Sequence, residues 1–382
     1  MTAAAEPDAG RLFSIFSELI KLSSESGHEA SVCAFIKDFC ANIGAVCHED
    51  SAGRRTGGEC GNLVVRVPAG TFSPLPPIIF NAHMDTVRPG RGIMPIDAGD
   101  RFMSGGMTVL GADDKAGVAA ILASIEMMSK TGAKNRALEL VFTVQEEPGL
   151  IGAKNLDTSL LDGTWGLVLD GSGPVGGVIT RAPGRDLMRF TMRGRAAHAG
   201  IEPEKGRNAL YCMCEAVTAC GSGRIDDSTT LNFGLIAGGV ASNIVAEEAT
   251  VEGEARSLSV ERLAGLTDRV IATFRVKAAA RECELSEYVE RSFEPFSIDE
   301  TSTPVKLLTR AMKECKVEPR FEASGGGSDA NILNRAGFTM LNIGIGLADA
   351  HSKQESILKK DLIDTTRVIS RLAMVAMDEE SA

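Results

Sequence analysis

The chain has 382 residues, which is long for one hydrophobic core, so two domains are expected, and one of them can interrupt the other. Hydrophobic residues make up 44% of the chain and charged residues 24%, a composition that excludes a largely disordered protein. The 40 Lys and Arg against 51 Asp and Glu give a net charge of −11, which argues against a nucleic-acid partner because phosphates would be repelled.

The first residues and the cysteines indicate the cellular compartment of the protein. The opening stretch MTAAAEPDAG has no basic segment followed by an apolar one, and no apolar run approaches the length needed to cross a bilayer. The nine cysteines form no CxxC pair, so we interpret them as small apolar residues in a reducing compartment. These features predict a cytoplasmic protein without a membrane partner.

The first half of the chain alternates helix and strand patterns. Apolar residues recur at helical spacing from Leu12 to Ile20 and from Val32 to Ile43, with the polar break SSESG between the two helices. The stretches NLVVRV and PIIFNAHMD predict buried strands, DKAGVAAILASIEMM predicts a helix, and ALELVFTVQEE and WGLVLDG predict further strands. This alternation is typical of an α/β domain with a largely parallel central sheet between outer helices.

The pattern changes near residue 184. The stretch DLMRFTMRGRAA alternates apolar and polar residues, which predicts a strand with one solvated face. A helix at 207–220, strands in TTLNFGLIAGG and EATVEGEARSL, a helix at 260–280 and a strand in CELSEYVERS follow. The order strand, helix, strand, strand, helix, strand is that of a small ferredoxin-like α+β domain.

The α/β pattern resumes at about residue 296. A helix in TPVKLLTRAMKEC, a glycine-rich loop, a strand in FTMLNIGIG and a long closing helix follow. We therefore predict a three-layer α/β/α domain formed by residues 1–183 and 296–382, interrupted by an inserted α+β domain at residues 184–295.

Histidines and carboxylates gather where the predicted strands end, which is where open α/β sheets bind their ligands. The residues concerned are His83 and Asp85 in NAHMDTV, Asp113 and Asp114 in LGADDKAG, Glu146 and Glu147 in TVQEEPG, Asp170 in LVLDGSG, and His351 in ADAHSKQE. So many charges at one edge would repel one another, and a pair of divalent cations resolves that repulsion. His with Asp and Glu and no thiolate favours zinc, although Mn²⁺ or Co²⁺ accepts the same ligands.

In two pairs of residues that are close in the sequence, the two members are expected to have different roles. On a strand, the side chains of His83 and Asp85 point to the same side, so Asp85 can hold the imidazole nitrogen that faces away from the metal. Of Glu146 and Glu147, one would bind metal and the other would stay free as the general base for the attacking water.

Seven motifs occur in order over nearly the whole chain: HxDTV, GADDKAG, EEPGLIGA, LDG, AAHAG, GGGSDAN and HxxxE. Together they resemble the M20 family of dizinc metallopeptidases, most closely its peptidase T-like branch. The resemblance implies a zinc-peptidase-like catalytic domain and an inserted lid domain through which two chains form a homodimer. It also implies a cis peptide bond after the first aspartate of GADDKAG.

The resemblance assigns a place to each metal ligand. Asp113 would bridge two Zn²⁺ ions. His83 and Asp170 would complete one metal site, and Glu147 and His351 would complete the other.

The resemblance also implies the catalytic and substrate-binding residues. Glu146 would be the general base, and Asp85 would hold His83. In the lid, His198 would reach into the site of the other subunit to stabilise the oxyanion, with Asn243 near the same oxygen, and Arg256 would bind the substrate carboxylate. Backbone groups of the glycine-rich loop would line the cleft, at Ser324, Gly325 and Gly326.

The function favoured by these features is removal of the N-terminal residue from short peptides, tripeptides in particular. An aminoacylase or carboxypeptidase of the same family stays open, because pocket loops set substrate specificity. A phosphohydrolase would also use two metals and a glycine-rich loop, but no Lys or Arg cluster accompanies GGGSDAN. A non-catalytic binding protein would not need the complete ligand set with its base.

Overall fold

The computed structural model describes residues 6–70, 75–132 and 134–376. These residues form two compact units. Unit 1 comprises the described residues up to Thr180, Ser297–Ala323, and those from Ser328 onward. Unit 2 comprises Arg181–Phe296 and Ser324–Gly327, so it interrupts unit 1 in the chain.

The secondary structure follows the chain from one unit to the other and back. The α-helices are α1 (Ala9–Lys21), α2 (Ala30–Asn42), α3 (Ala52–Thr56), α4 (Ala112–Thr131), α5 (Ile151–Lys154), α6 (Ala209–Cys220), α7 (Val260–Ala280), α8 (Thr303–Glu314), α9 (Asp329–Arg335) and α10 (Lys359–Val375). The strands are β1 (Val46–Glu49), β2 (Leu63–Val67), β3 (Ile78–His83), β4 (Ile96–Asp97), β5 (Arg101–Met103), β6 (Leu138–Thr143), β7 (Trp165–Ser172), β8 (Gly177–Ala182), β9 (Gly184–Arg193), β10 (Gly223–Asp226), β11 (Thr229–Gly238), β12 (Glu248–Ser257), β13 (Glu284–Phe293), β14 (Phe296–Ser297), β15 (Arg320–Ala323), β16 (Thr339–Ala348) and β17 (Ser356–Leu358).

The main sheet of unit 1 has the strand order β1-β2-β6-β3-β7-β16-β17-β5-β4, with β8 also paired to β16. Its four central strands β6, β3, β7 and β16 run parallel, as predicted. The flanking strands β2 and β17 pair antiparallel with β6 and β16. A short apolar run such as NLVVRV suits a buried strand in either direction, so the sequence did not show the reversal at the flanks.

Both faces of the central strands are covered. Every residue of β3 and β6 is buried, which is typical of a parallel sheet between two layers of helices. Helix α4 packs on β3, β7 and β16, and α1 and α10 pack against α4. Because α4 is enclosed in this way, its residues are buried almost continuously from Ala112 to Ile125. The predicted α/β class is confirmed.

Unit 2 is built on a separate antiparallel sheet with the order β10-β11-β12-β9-β13. Helices α6 and α7 pack on it and cover Met188, Phe190 and Met192, the apolar side of the alternating strand β9. The ring of Phe274 in α7 stacks on Phe190 with a centroid distance of 4.0 Å. The predicted α+β insertion is confirmed, with one additional strand, β10, which is only four residues long and has no apolar period.

The other face of this sheet carries paired polar side chains. Arg189 contacts Glu252 across the strands at 2.6 Å, and Arg193 contacts Glu248 at 3.0 Å. Between them the hydroxyls of Thr191 and Thr250 are 3.0 Å apart. The solvated face that the alternation predicted is therefore a ladder of cross-strand pairs.

Within the described ranges, no helix combines the length and the apolar composition that crossing a membrane requires.

Candidate metal centre

The five predicted metal ligands all belong to unit 1; two lie in strands, two in the segments that follow strands, and one in a helix. His83 ends β3, Asp170 lies in β7, Glu147 follows β6 after a turn, His351 follows β16, and Asp113 is the second residue of α4. The expectation that each would lie at a strand end is wrong for Asp113. The chain crosses a loop after β5 and enters α4 before it reaches this residue. The peptide bond that joins Asp113 to Asp114 is cis.

The carboxylate of Asp113 lies between the two imidazoles. Its Oδ1 is 3.2 Å from Nε2 of His83, and its Oδ2 is 3.2 Å from Nε2 of His351. On the His83 side, Asp170 Oδ1 lies 3.9 Å from the same Nε2. On the His351 side, Glu147 Oε2 lies 3.0 Å from Nε2. Donor atoms of His83, Asp113 and Glu147 all lie within 4.8 Å of one another, close enough to surround one ion.

Three carboxylates of the cluster are destabilised as anions, whereas, despite burial, the hydrogen bonds with His351 and His83 hold the pKa of the Asp113 carboxyl below its ordinary value. Burial raises the pKa of Glu146, and the nearby Asp170 raises it further. Burial likewise raises the pKa of Asp170, with Asp113 adding to the shift, and burial raises the pKa of Glu147. Carboxyls in such surroundings hold protons unless a cation neutralises them.

The two imidazoles, in contrast, are stabilised in their charged, protonated forms. Burial opposes a proton on His83, but its hydrogen bonds with Asp113 and Asp85 raise its pKa well above the ordinary value. Hydrogen bonds with Asp113 and Glu147 raise the pKa of His351 to about 10. Protons on these rings take the place that divalent cations would occupy, so cation binding would release them.

Asp85 reaches both halves of the site. The Nδ1 atom of His83 is 3.0 Å from the backbone oxygen of Asp85 and 3.4 Å from its Oδ1, so Nε2 is left to face Asp113. The Asp85 carboxylate also accepts the backbone N–H groups of Glu146 at 2.9 Å and Glu147 at 3.3 Å. Since β3 ends at His83, the strand alternation invoked from the sequence does not extend to Asp85. The aspartate lies in the loop that follows the strand.

The donor set suits a pair of divalent cations. It consists of two imidazole nitrogens and three carboxylates, which are ordinary ligands of zinc. In the described part of the chain, the buried Oε1 atom of Glu147 has no hydrogen-bond partner. An unpaired oxygen of this kind is costly to bury unless a cation binds it.

Four polar residues that surround the site were not predicted from the sequence. Ser26 donates its hydroxyl to Asp85 Oδ2 at 2.7 Å, and Glu29 accepts the N–H of Gln145 at 3.0 Å. Asp329 accepts from the hydroxyl of Thr143 at the end of β6. Glu355 accepts from the segment that leads into α4. Asp329 and Glu355 belong to quoted motifs, whereas the SSESG stretch is a polar run of a kind that usually lies in solvent.

Two of the predicted lid residues lie close together in unit 2. His198 and Asn243 are on neighbouring segments, in which Ala199 N donates to Asn243 O at 2.9 Å and His198 pairs with Ile244. Both side chains are exposed.

The other predicted substrate-binding residues also lie in unit 2. Arg256 donates to the carboxylate of Glu254 at 2.8 and 3.2 Å and to the backbone oxygen of Gly325 at 3.3 Å. Ser324 Oγ accepts the N–H of Gly326 at 3.0 Å, so the loop is held in a turn beside Arg256. The sequence did not predict the ion pair with Glu254.

Comparisons with known proteins show the family of the chain. A family model described as peptidase family M20/M25/M40 matches residues 79–375. The uncharacterized protein YqjE of Bacillus subtilis is 35% identical, with 97% of this chain and 98% of that protein covered. Peptidase T of Listeria welshimeri is 24% identical, with 96% and 98% covered.

Two solved structures are similar over their whole length. Aminopeptidase PepT from Bacillus cereus superposes with a TM-score of 0.91 at 33% identity and covers 97% of this chain and 99% of its own. A tripeptidase from Staphylococcus aureus has a TM-score of 0.94 at 31% identity, with 98% and 100% covered. With the family match and these likenesses, the chain belongs to peptidase family M20/M25/M40 and is a metallopeptidase similar to peptidase T.

Proposed function

We propose that this metallopeptidase removes the N-terminal residue from short peptides, with tripeptides as its expected substrates. The observation that carries the proposal is the position of Asp113 between the imidazoles of His83 and His351, with one further carboxylate beyond each ring. The substrate class comes from the relatives named peptidase T, aminopeptidase PepT and tripeptidase.

The same geometry supports a division of the ligands between two cations. Asp113 would bridge them, with His83 and Asp170 on one side and Glu147 and His351 on the other. Zinc is the expected metal, and Mn²⁺ or Co²⁺ would accept the same ligands. When bound, the two cations supply Lewis-acid polarisation of the scissile carbonyl and a lowered pKa for water.

Glu146 is the proposed general base. Its pKa is raised by burial and by Asp170, which suits a group that takes a proton near neutral pH and gives it up again. Its backbone N–H is held by Asp85, so the side chain starts from a fixed point beside the metal ligands. Glu146 would accept a proton from the attacking water and return it to the leaving amine.

Unit 2 would supply the remaining groups. The exposed His198 and Asn243 would donate to the oxyanion of the tetrahedral intermediate. Arg256 would bind the C-terminal carboxylate of the peptide, and backbone groups of Ser324, Gly325 and Gly326 would contact the peptide chain.

A homodimer through unit 2 is part of the proposal. Leu235, Ile236 and Val240 are large apolar side chains with exposed fractions of 66%, 52% and 86%, and such a group is typical of an interaction surface. In that dimer His198 would serve the site of the other subunit.

The experiment that tests the activity uses one tripeptide in three forms: free, N-acetylated and C-terminally amidated. The zinc-loaded protein should cleave the free form, and the amidated form more slowly, because an aminopeptidase requires the free α-amine but Arg256 then has no carboxylate to bind. Chelation should abolish both rates. Preference for the acetylated form would instead show an aminoacylase or carboxypeptidase that uses the same metal centre. Cleavage that persists after complete chelation would contradict the metal-dependent mechanism.

A further inference from the structure

Glu355 is a buried carboxylate that joins two distant parts of the chain. Glu355 lies four residues after His351 in the chain, and it is 1% exposed. Its Oε2 accepts the N–H groups of Leu110 at 2.7 Å and Gly111 at 2.9 Å, and its Oε1 accepts the N–H of Asp113 at 3.0 Å. Its own backbone oxygen accepts from Ser104 N at 3.0 Å.

The three N–H groups that the Glu355 side chain accepts belong to one segment, which leads into α4. They lie at the start of α4, where the first amides of a helix lack an intrahelical acceptor. The backbone of Asp113 is also non-helical, with φ −81° and ψ 105°, so the regular ladder is interrupted at this point. One buried side chain therefore satisfies three backbone donors around a proposed metal ligand.

Lys115, two residues after Asp113, is a second buried charged residue in this region. Lys115 is fully buried, its ammonium donates to the backbone oxygen of Leu22 at 2.6 Å, and it interacts electrostatically with Glu355.

The two halves of the metal centre differ in how they are supported. His83 and Asp170 lie on the central strands β3 and β7. His351 lies on a loop, its side chain is 56% exposed, and its φ of 62° is in the left-handed region. Glu355 is the anchor that ties this loop to the backbone of Asp113.

We propose that Glu355 is a positioning residue that holds the His351 loop against Asp113 and so sets the affinity for the cation on the His351 side. The inference rests on the proposed function, because it takes Asp113, Glu147 and His351 as ligands. It predicts a selective effect, since the cation on the His83 side is held by strand residues.

The variant Glu355→Gln tests this with almost no change of shape. A glutamine has one acceptor oxygen, and its NH₂ group must face at least one of the three backbone donors, so the segment before α4 has to move. The weaker of two Zn²⁺ dissociation constants should rise by at least about tenfold, as is usual when a residue that orients a ligand is lost. The tighter constant should rise less, because the Zn²⁺ on the strand side shares Asp113 with the other ion but keeps the support of His83 and Asp170.

Glu139→Gln is the matched control. Glu139 is also 1% exposed and also accepts backbone N–H groups, from Asp162 at 2.9 Å and Gly163 at 2.9 Å. It lies near the amino end of β6, whereas the metal centre lies beyond the carboxyl end. Zn²⁺ would be titrated into each metal-free protein against a chromophoric chelator, without any peptide present.

Each result bears on a definite claim. If the wild type binds no Zn²⁺, the proposed function and this inference both fail. If the wild type binds two ions and Glu355→Gln binds both equally well, only the inference fails. An equal loss of Zn²⁺ affinity in the Glu139→Gln control would also overturn the inference, because the loss would then come from a lower stability of the whole protein.

If the Glu355→Gln variant does not fold, a second measurement, made on the wild type, tests the inference. Hydrogen exchange of the Leu110, Gly111 and Asp113 amides would be followed with and without Zn²⁺. The amides should be protected in both states, since Glu355 binds them before any metal arrives. Free exchange in the metal-free protein would overturn the positioning role.

Discussion

Asp85 shows how a single side chain coordinates the proposed centre. It contacts the far nitrogen of His83, accepts the backbone of Glu146 and Glu147, and is itself held by Ser26. The His-x-Asp spacing predicted the first contact. The contacts with Glu146 and Glu147 depend on backbone N–H groups that every residue carries, and Ser26 is 59 residues from Asp85 in the chain, so no sequence pattern could indicate them.

Replacing Glu146 should separate chemistry from metal binding. Glu146→Ala is expected to bind two cations and to lose turnover by about 10²- to 10⁴-fold, the usual contribution of a general base. Steady-state kinetics and metal analysis of the purified variant would measure both effects. Glu147→Ala is the comparison, because it should lose one cation instead. A wild-type rate for Glu146→Ala would contradict the assignment of the base.

The raised pKa of Glu29 predicts that the stability of the metal-free protein depends on pH. Burial raises the pKa of Glu29 from 4.5 to about 7, so the folded chain binds this proton more tightly than the unfolded chain. The resulting stabilisation is present at low pH and is lost as the pH rises through 7. In Glu29→Gln this dependence should disappear.

The measurement for Glu29 is denaturant unfolding with chelator at pH 5 and pH 8. Between these values the stability of Glu29→Gln relative to the wild type should shift by about 2 kcal/mol in favour of the variant. Glu204→Gln, at an exposed position, controls for the removal of one charge. A difference that does not change with pH would show that Glu29 is not protonated in the folded state.

At the scale of elements, the patterns predicted the long helices and the central strands but not the short ones. The alternation in DLMRFTMRGRAA indicated β9 because each residue type marks one face of the sheet. Strands such as β10, β14 and β17 have two to four residues, too few to show a period. Their positions depend on pairing with neighbours that are distant in the chain.

The stacked contact between α7 and β9 should dominate the stability of unit 2. Phe274→Ala removes a fully buried ring from Phe190 and is expected to cost about 3–5 kcal/mol. Calorimetry should show unit 2 unfolding at a lower temperature, with zinc binding by unit 1 retained. Phe321→Ala, at a site 39% exposed, should cost much less. Loss of zinc binding together with the unit 2 transition would show that the metal centre depends on the packing of unit 2.

At the scale of the whole molecule, the sequence predicted an inserted domain near residue 184. Up to this point the strands are continuous apolar runs, typical of a buried sheet, and after it they alternate apolar and polar residues, typical of a sheet with one solvated face. The sequence could not show which apolar residues remain exposed, since burial depends on the completed fold. Leu235 and Val240 read like core residues in the sequence, and only the structure shows them at the surface of unit 2.

The proposed homodimer predicts a change of mass and of rate. Light scattering should give twice the mass of the chain for the wild type and a single chain for Val240→Asp, because a charge would be buried at the interface. The peptidase rate should fall in the variant as His198 is withdrawn from the other subunit. Val276→Asp, which alters a 66% exposed valine on α7, should leave both unchanged. A wild type that is monomeric yet fully active would contradict the dimer.

The interruption of unit 1 by unit 2 also orders events during synthesis. His83, Asp113, Glu147 and Asp170 leave the ribosome before unit 2, and His351 leaves after it. At ordinary rates of elongation this delay is roughly 10 to 40 seconds. On the proposed ligand set, a nascent chain therefore lacks its second imidazole until unit 2 has been made, and its metal centre stays incomplete until then.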